Sequence, residues 1–284
     1  MRKLFYLLIA ALALVACGDG NEPTVDANGA LQGKFSVSAD KQIRFSQGNL
    51  QYRASDQLWR FAESQLDFLG KGNENISDTN DGFIDLFGWG TGENPTNTST
   101  TTGYGTFTDW GTNAISNGGN HANLWRTLTR EEWLFILHGR TNADKLVALA
   151  TVNSQRGLIL LPDNWNLPQG LTLYSVTEKG FSWNATSERY EIDDDVNHFK
   201  ENIYTRDEWE KLEAAGAVYL PIAGGRYETT VGEIGNQGIY WSATPVGTLE
   251  AATFTANMKM VWITKNNRFF GYSVRLVQDV KAID

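Results

Sequence analysis

Beyond residue 17 the chain has no cysteine: Cys17 is the only one among 284 residues. If that thiol is used elsewhere, no disulfide can close within the chain, and stability has to come from an apolar core. Histidine is also scarce. His121, His138 and His198 lie far apart without metal-ligand spacing, so each reads as a polar surface or helix-end residue. Positive charge is the minority sign, with Lys+Arg 24 against Asp+Glu 33 and a formal net charge of −9. Losing Arg2 and Lys3 with a leader would subtract two more positive charges and give −11. An acidic chain without a basic cluster is a poor match for nucleic acid or for anionic membrane surfaces. Long apolar runs are missing except for Leu4 to Val15, and a dozen or so residues fall short of the roughly 20 needed to span a bilayer. The chain also lacks a Gly-x-Ser-x-Gly elbow, a phosphate-cradling loop and a His-Glu-x-x-His pair, which removes the common sequence signs of hydrolase, nucleotide and zinc-protease chemistry.

What is there begins at the N-terminus. Arg2 and Lys3 precede the apolar run, which ends in Leu14-Val15-Ala16-Cys17. A short basic start, an apolar core and small residues before the break make residues 1–16 a signal peptide. The Leu-Val-Ala-Cys ending resembles the lipobox of bacterial lipoproteins, which implies lipidation of Cys17. The expected location is the outer membrane, facing the periplasm or the cell surface, with the lipid as the only membrane contact. Residues 17–33 follow as lipidated cysteine and flexible tether, since 18–33 is polar, Gly-rich and acidic without periodicity. Asp19 and Glu22 faintly resemble the acidic export tag of surface lipoproteins in Bacteroides-like bacteria.

Residues 34–284 are then expected to form a single α+β domain, a size one core can support. Phe35/Val37, Ile43/Phe45, Leu50/Tyr52 and Trp59/Phe61 alternate with turn residues between them, predicting an antiparallel meander. Thr129-Arg130-Glu131-Glu132-Trp133 and Thr205-Arg206-Asp207-Glu208-Trp209 are both capping boxes and predict two helices, ending near Gly139 and Gly216. Each is followed by an apolar stretch ending in Leu-Pro, at 157–162 and 217–221, which suggests a weak duplication or convergence on one good helix start. Four strands are expected at the C-terminus: 239–244, 250–256, 259–264 and 270–277.

The sequences Thr-Leu-Thr-Arg-Glu-Glu-Trp (127–133), Leu-Pro-Ile-Ala-Gly-Gly-Arg (220–226), Tyr-Trp-Ser-Ala-Thr-Pro (240–245) and Phe-Gly-Tyr-Ser-Val-Arg-Leu-Val (270–277) carry a resemblance. So do 33–38 and 44–52. They resemble Bacteroides-type lipoproteins with a C-type-lectin-like domain related to the formylglycine-generating, sulfatase-modifying fold. Short antiparallel strands with two main helices are what that resemblance implies. Some relatives resemble targets of diversity-generating retroelements, whose variable ligand-binding face corresponds to 246–270 here. Function varies widely across such a fold and has to be read from the site.

The oxidase activity of the formylglycine-generating relatives depends on cysteines that this domain lacks, so no enzyme activity and no cofactor are expected. The calcium-dependent sugar motif of C-type lectins is also unmatched: Glu93-Asn94-Pro95 has the wrong order, and Trp165-Asn166-Leu167 and Trp183-Asn184-Ala185 lack the closing carboxylate. Ser77 to Gly88 fails as a calcium loop because Gly88 stands where a bidentate glutamate is needed. The acidic run Glu191, Asp193, Asp194, Asp195 and Glu201 has nothing to fix ligand geometry, so no metal is expected there.

The window 246–270 is the most informative. If Phe254, Val261 and Ala251 face the core, alternation turns Met260 and Trp262 outward, where methionine and aromatics suit recognition. Full burial of the same stretch fits the periodicity equally well. The expected ligand contacts are Tyr227, Thr248, Glu250, Thr253, Thr255, Met258, Met260, Trp262, Lys265 and Phe269. Three functions compete: binding of a protein or glycan ligand through this face, a structural or fimbria-associated surface role, and a sulfatase-modifying type of enzyme with unrecognised chemistry. The first is the expectation.

Overall fold

A computed structural model describes residues 24–74 and 76–280. The signal peptide, Cys17 and the start of the tether lie outside these residues. The described residues form a mixed α/β structure dominated by short strands, with two α-helices among them, α1 (Arg130–Leu134) and α2 (Arg206–Ala214). None of the described helices is long and apolar enough to cross a membrane.

Both helices begin as their sequences predict. Thr129 and Thr205 each accept the backbone N–H three residues on, and Glu132 and Glu208 each reach back to the cap N–H at 2.8 Å. Past Leu134 the first helix widens into one π turn, Phe135–Gly139, with Arg140 N–H donating to Phe135 O at 3.1 Å. Gly139 permits this, because a Cβ there would collide with the Phe135 ring. The second helix stops at Gly216, whose φ of +97° suits the residue after a helix end.

Three apolar clusters share the interior. The first gathers Trp133, Ile136 and Leu137 against Phe45, Val147, Leu158, Phe254 and Val261. The second holds Trp59, Phe87, Trp89, Trp110, Trp241 and Tyr272. The third surrounds Trp209 and Tyr219. The strands Gln155–Leu160 and Val218–Pro221, from the two similar Leu-Pro stretches, pair antiparallel with Leu158 opposite Leu220.

The meander expected at the start is divided between two sheets. Strand Gln42–Phe45 pairs with Leu276–Asp279, while Leu50–Arg53 pairs with Leu58–Phe61 and Phe83–Ile84. The C-terminal segment comes between: Ser46 N–H donates to Leu276 O and Leu50 N–H to Val274 O, both at 2.9 Å. The second half of the expected tether is likewise packed. Ala30 and Leu31 are buried, their carbonyls accept from the Arg44 guanidinium, and Asp26 pairs with Arg44 at 2.7 Å. An apolar pair inside a polar stretch was enough to bring it onto the body.

The sheet that carries the 246–270 window has five antiparallel strands. In order they are Gly238–Val246, Glu250–Ala256, Met260–Asn267, Arg189–Glu191 and Ser182–Asn184. Its inner face packs on α1, with the Phe254 and Trp133 rings stacked 4.5 Å apart at 9°.

Candidate functional site

Strand register sorts the expected contact residues. Phe254 lies opposite Ile263, and Ala256 opposite Val261, so Phe254 and Val261 face α1 as expected, whereas Ala251, three residues from Phe254 in the same strand, points the other way into the second cluster. On the opposite, outer face Trp262 lies between Thr255 and Arg189, and Met260 is paired with Glu191. Met260 and Trp262 are partly exposed on that face, and Met258 in the turn between the two strands is 36 % exposed. The Trp262 side chain makes no hydrogen bond or ring contact with other described residues.

Four of the expected contacts are placed differently. Thr253 and Thr255 do point to the outer face, yet both are 0 % exposed. The segment after Arg268 folds over that half of the sheet: Tyr272 OH donates to Asn266 Oδ1, and Asn266 Nδ2 donates to Thr253 Oγ1. Ile239 and Trp241, cross-strand neighbours of the two threonines, belong to the second core cluster. Glu250 and Lys265 share the parity of Phe254 and Val261, so they sit on the inner face just beyond the core edge, where they pair with each other at 2.7 Å.

The remaining positions separate to two ends of a hairpin. Seven residues of strand, Glu250–Ala256, place its ends about 20 Å apart. At the base end Phe269 packs on Phe270 and Phe270 on Tyr227, with ring centroids 4.8 and 5.0 Å apart. Thr248 is exposed there beside Leu249, which is 73 % exposed. At the turn end Met260 and Lys259 lie between two clefts of about 450 and about 490 Å³, the second also lined by Met258. Lys259 is held by Asp195 at 2.9 Å, and that hydrogen bond raises its pKa above the usual lysine range.

Sequence reasoning did not find Arg189, Asn184 and Glu191, which extend the Trp262 face across two further strands. Nothing local marks a pairing between positions 189 and 262. Asn184 donates to Glu191 at 2.7 Å, which lowers the Glu191 pKa, and Arg189 pairs with the same carboxylate. A separate cleft of about 560 Å³ opens between the outer side of the first helix and the Ser182–Asn184 edge, lined by Leu134, Phe135, His138, Trp183 and Glu188. His138 stacks on Trp183 at 4.1 Å, and Arg130 ties Glu188 to the helix start.

Among the described residues no three His, Cys, Asp or Glu side chains converge to hold a metal ion. Four of the five carboxylates in the acidic run are engaged in pairs: Glu191 with Arg189, Asp195 with Lys259, Glu201 with Lys179 and Asp194 with His198. His198 is the helix-end residue of the two alternatives and not a surface one: it opens the short 3-10 helix His198–Lys200 and is buried against Phe181, with its Nε2 3.0 Å from Asp194. No known protein family, no characterised protein and no solved structure matches the chain.

Proposed function

We propose that this protein is a lipid-anchored, extracytoplasmic binding protein. Its body is C-type-lectin-like, and it takes a protein or glycan ligand on the outer face of the five-stranded sheet without transforming it. The observation that carries this reading is the pair Met260 and Trp262, side by side and partly open on one face, with the Trp262 indole N–H unengaged. Aromatic anchors of this kind dominate interface energies, and methionine adapts to the partner's shape. Arg189 opposite Trp262 adds a charged group at the rim. The mixed architecture, mostly strands with two α-helices, is compatible with the α+β class to which such a body would belong.

The test uses the full chain against a panel of immobilised glycoproteins, native and deglycosylated. Trp262→Ala should weaken binding by about thirtyfold, the equivalent of 2 kcal/mol. Because Trp262 is only partly exposed, a stability loss of about 1–2 kcal/mol should accompany it, less than the 3–5 of a core tryptophan. Undiminished binding together with a core-sized loss of stability would return this face to a purely structural role. For the anchor, Cys17→Ser should release the protein from membranes and abolish fatty-acid labelling; continued labelling would refute lipidation at that residue.

A further inference from the structure

The cleft of about 490 Å³ beside the Met258 turn differs in character from the sheet face next to it. One wall is the loop 233–237. Glu233 has a left-handed backbone, φ +60°, and its carbonyl accepts from both Asn236 N–H and Gln237 N–H at 3.0 Å. Gly235 N–H donates to Ile222 O, Gly224 N–H donates to Gln237 O, and Arg156 Nη1 donates to Gly235 O at 2.9 Å. The loop is thus pinned by its own backbone from three sides. Its side chains are not: those of Glu233, Asn236 and Gln237 make no hydrogen bond with other described residues. Among the described residues Arg156 has no carboxylate partner either; its guanidinium lies over the Phe199 ring, 5.6 Å from the centroid, and its N–H groups beyond the bond to Gly235 are available.

The opposite wall is the turn at Asn257. Its Oδ1 accepts from Lys259 N–H and Met260 N–H, which fixes the amide and leaves Nδ2 free to donate. Met258 and Met260 supply the apolar surface.

We infer that this cleft is a subsite for a neutral saccharide. The free Asn236 and Gln237 amides, which both donate and accept, the fixed Asn257 Nδ2 that donates, a carboxylate that accepts and a guanidinium that donates match the paired donor–acceptor character of neighbouring sugar hydroxyls. The methionine side chains suit the C–H face of the ring. Arg156 and Glu233 offset each other, Lys259 in the same lining is paired with Asp195, and the net negative chain disfavours an acidic sugar. An apolar peptide anchor would find only the two methionines, because Phe199 in the same wall is fully buried. The volume falls within the range of small-molecule sites, about 300–1,000 Å³. This inference rests on the binding-protein reading above and places one ligand class at the turn end of that face.

The experiment presents the full chain to immobilised neutral hexose and N-acetylhexosamine oligosaccharides and to uronic-acid oligosaccharides. Asn236→Ala, Glu233→Gln and Trp262→Ala are run alongside, each with a melting curve. Neutral oligosaccharides should be retained, and both loop variants should lower that retention at least tenfold without a shift in melting temperature, since Glu233 and Asn236 are exposed. No retention by the unaltered chain, a preference for the uronic acids, or retention indifferent to both loop variants would each overturn the inference. Saccharide binding lost in Trp262→Ala but kept in the loop variants would overturn it while supporting the outer-face reading. Glycoprotein binding indifferent to Trp262→Ala would instead remove the outer-face reading and leave the cleft to stand on its own variants.

Discussion

Asp85 offers a test of the interior that can be worked through from its surroundings. Its carboxylate is 1 % exposed, with Oδ2 accepting from Leu69 N–H and Oδ1 from Asn73 Nδ2, both at 2.8 Å. No ion pair to Asp85 is present among the described residues, so two neutral donors face a buried charge. Burial pushes its pKa up from 3.8 to about 6. Between these values the folded protein holds a proton that the unfolded chain has released, so stability falls as pH rises through this window. The gap corresponds to about 3 kcal/mol, or about 6–12 °C of melting temperature for a body of this size. Asp85→Asn removes the titration and keeps one acceptor for the two donors. Melting curves at pH 4, 5, 6 and 7 should therefore show the variant gaining on the parent as pH rises. Carboxylates with lowered pKa, such as Asp194 and Glu208, slope the other way, but they are common to both proteins and cancel in the difference. A difference between variant and parent that is flat across this range would refute the reasoning.

Two further stability predictions follow from the packing. Phe254→Ala removes the ring stacked on Trp133 and should cost about 3–5 kcal/mol, roughly 6–20 °C by thermal unfolding, well beyond the loss for Trp262→Ala on the other face; equal losses would mean that both faces are core. Thr129→Ala and Thr205→Ala should each cost about 1 kcal/mol, near 2–4 °C, and should add in the double variant because Trp133 and Trp209 of the two helices lie in separate clusters. Unchanged melting in both single variants would show that the cap hydrogen bonds contribute nothing net.

The features written locally in the chain were legible. A capping box needs only a threonine and a glutamate three residues apart, and both helices start where that signal stands. Alternation likewise assigned Phe254 and Val261 to the core and Met260 and Trp262 to the other face, because side chains in a strand must alternate. The same rule applied strictly would have moved Glu250 and Lys265 to the inner face, since their parity was already in the sequence.

What alternation could not supply was the depth of cover. Thr253 and Thr255 point outward from the helix side and are nonetheless buried, because the Tyr272 segment returns across that half of the sheet. Nor could it show that Arg189 stands beside Trp262, or that the 233–237 loop faces the Asn257 turn. The sequence by itself determined helix starts, strand periods and the polarity of each face, since these depend on neighbours within a few residues. Only the tertiary structure decided which outward positions stay open and which free side chains meet across a cleft. Both depend on pairings between segments tens of residues apart, and in the sequence no short-range signal marks them.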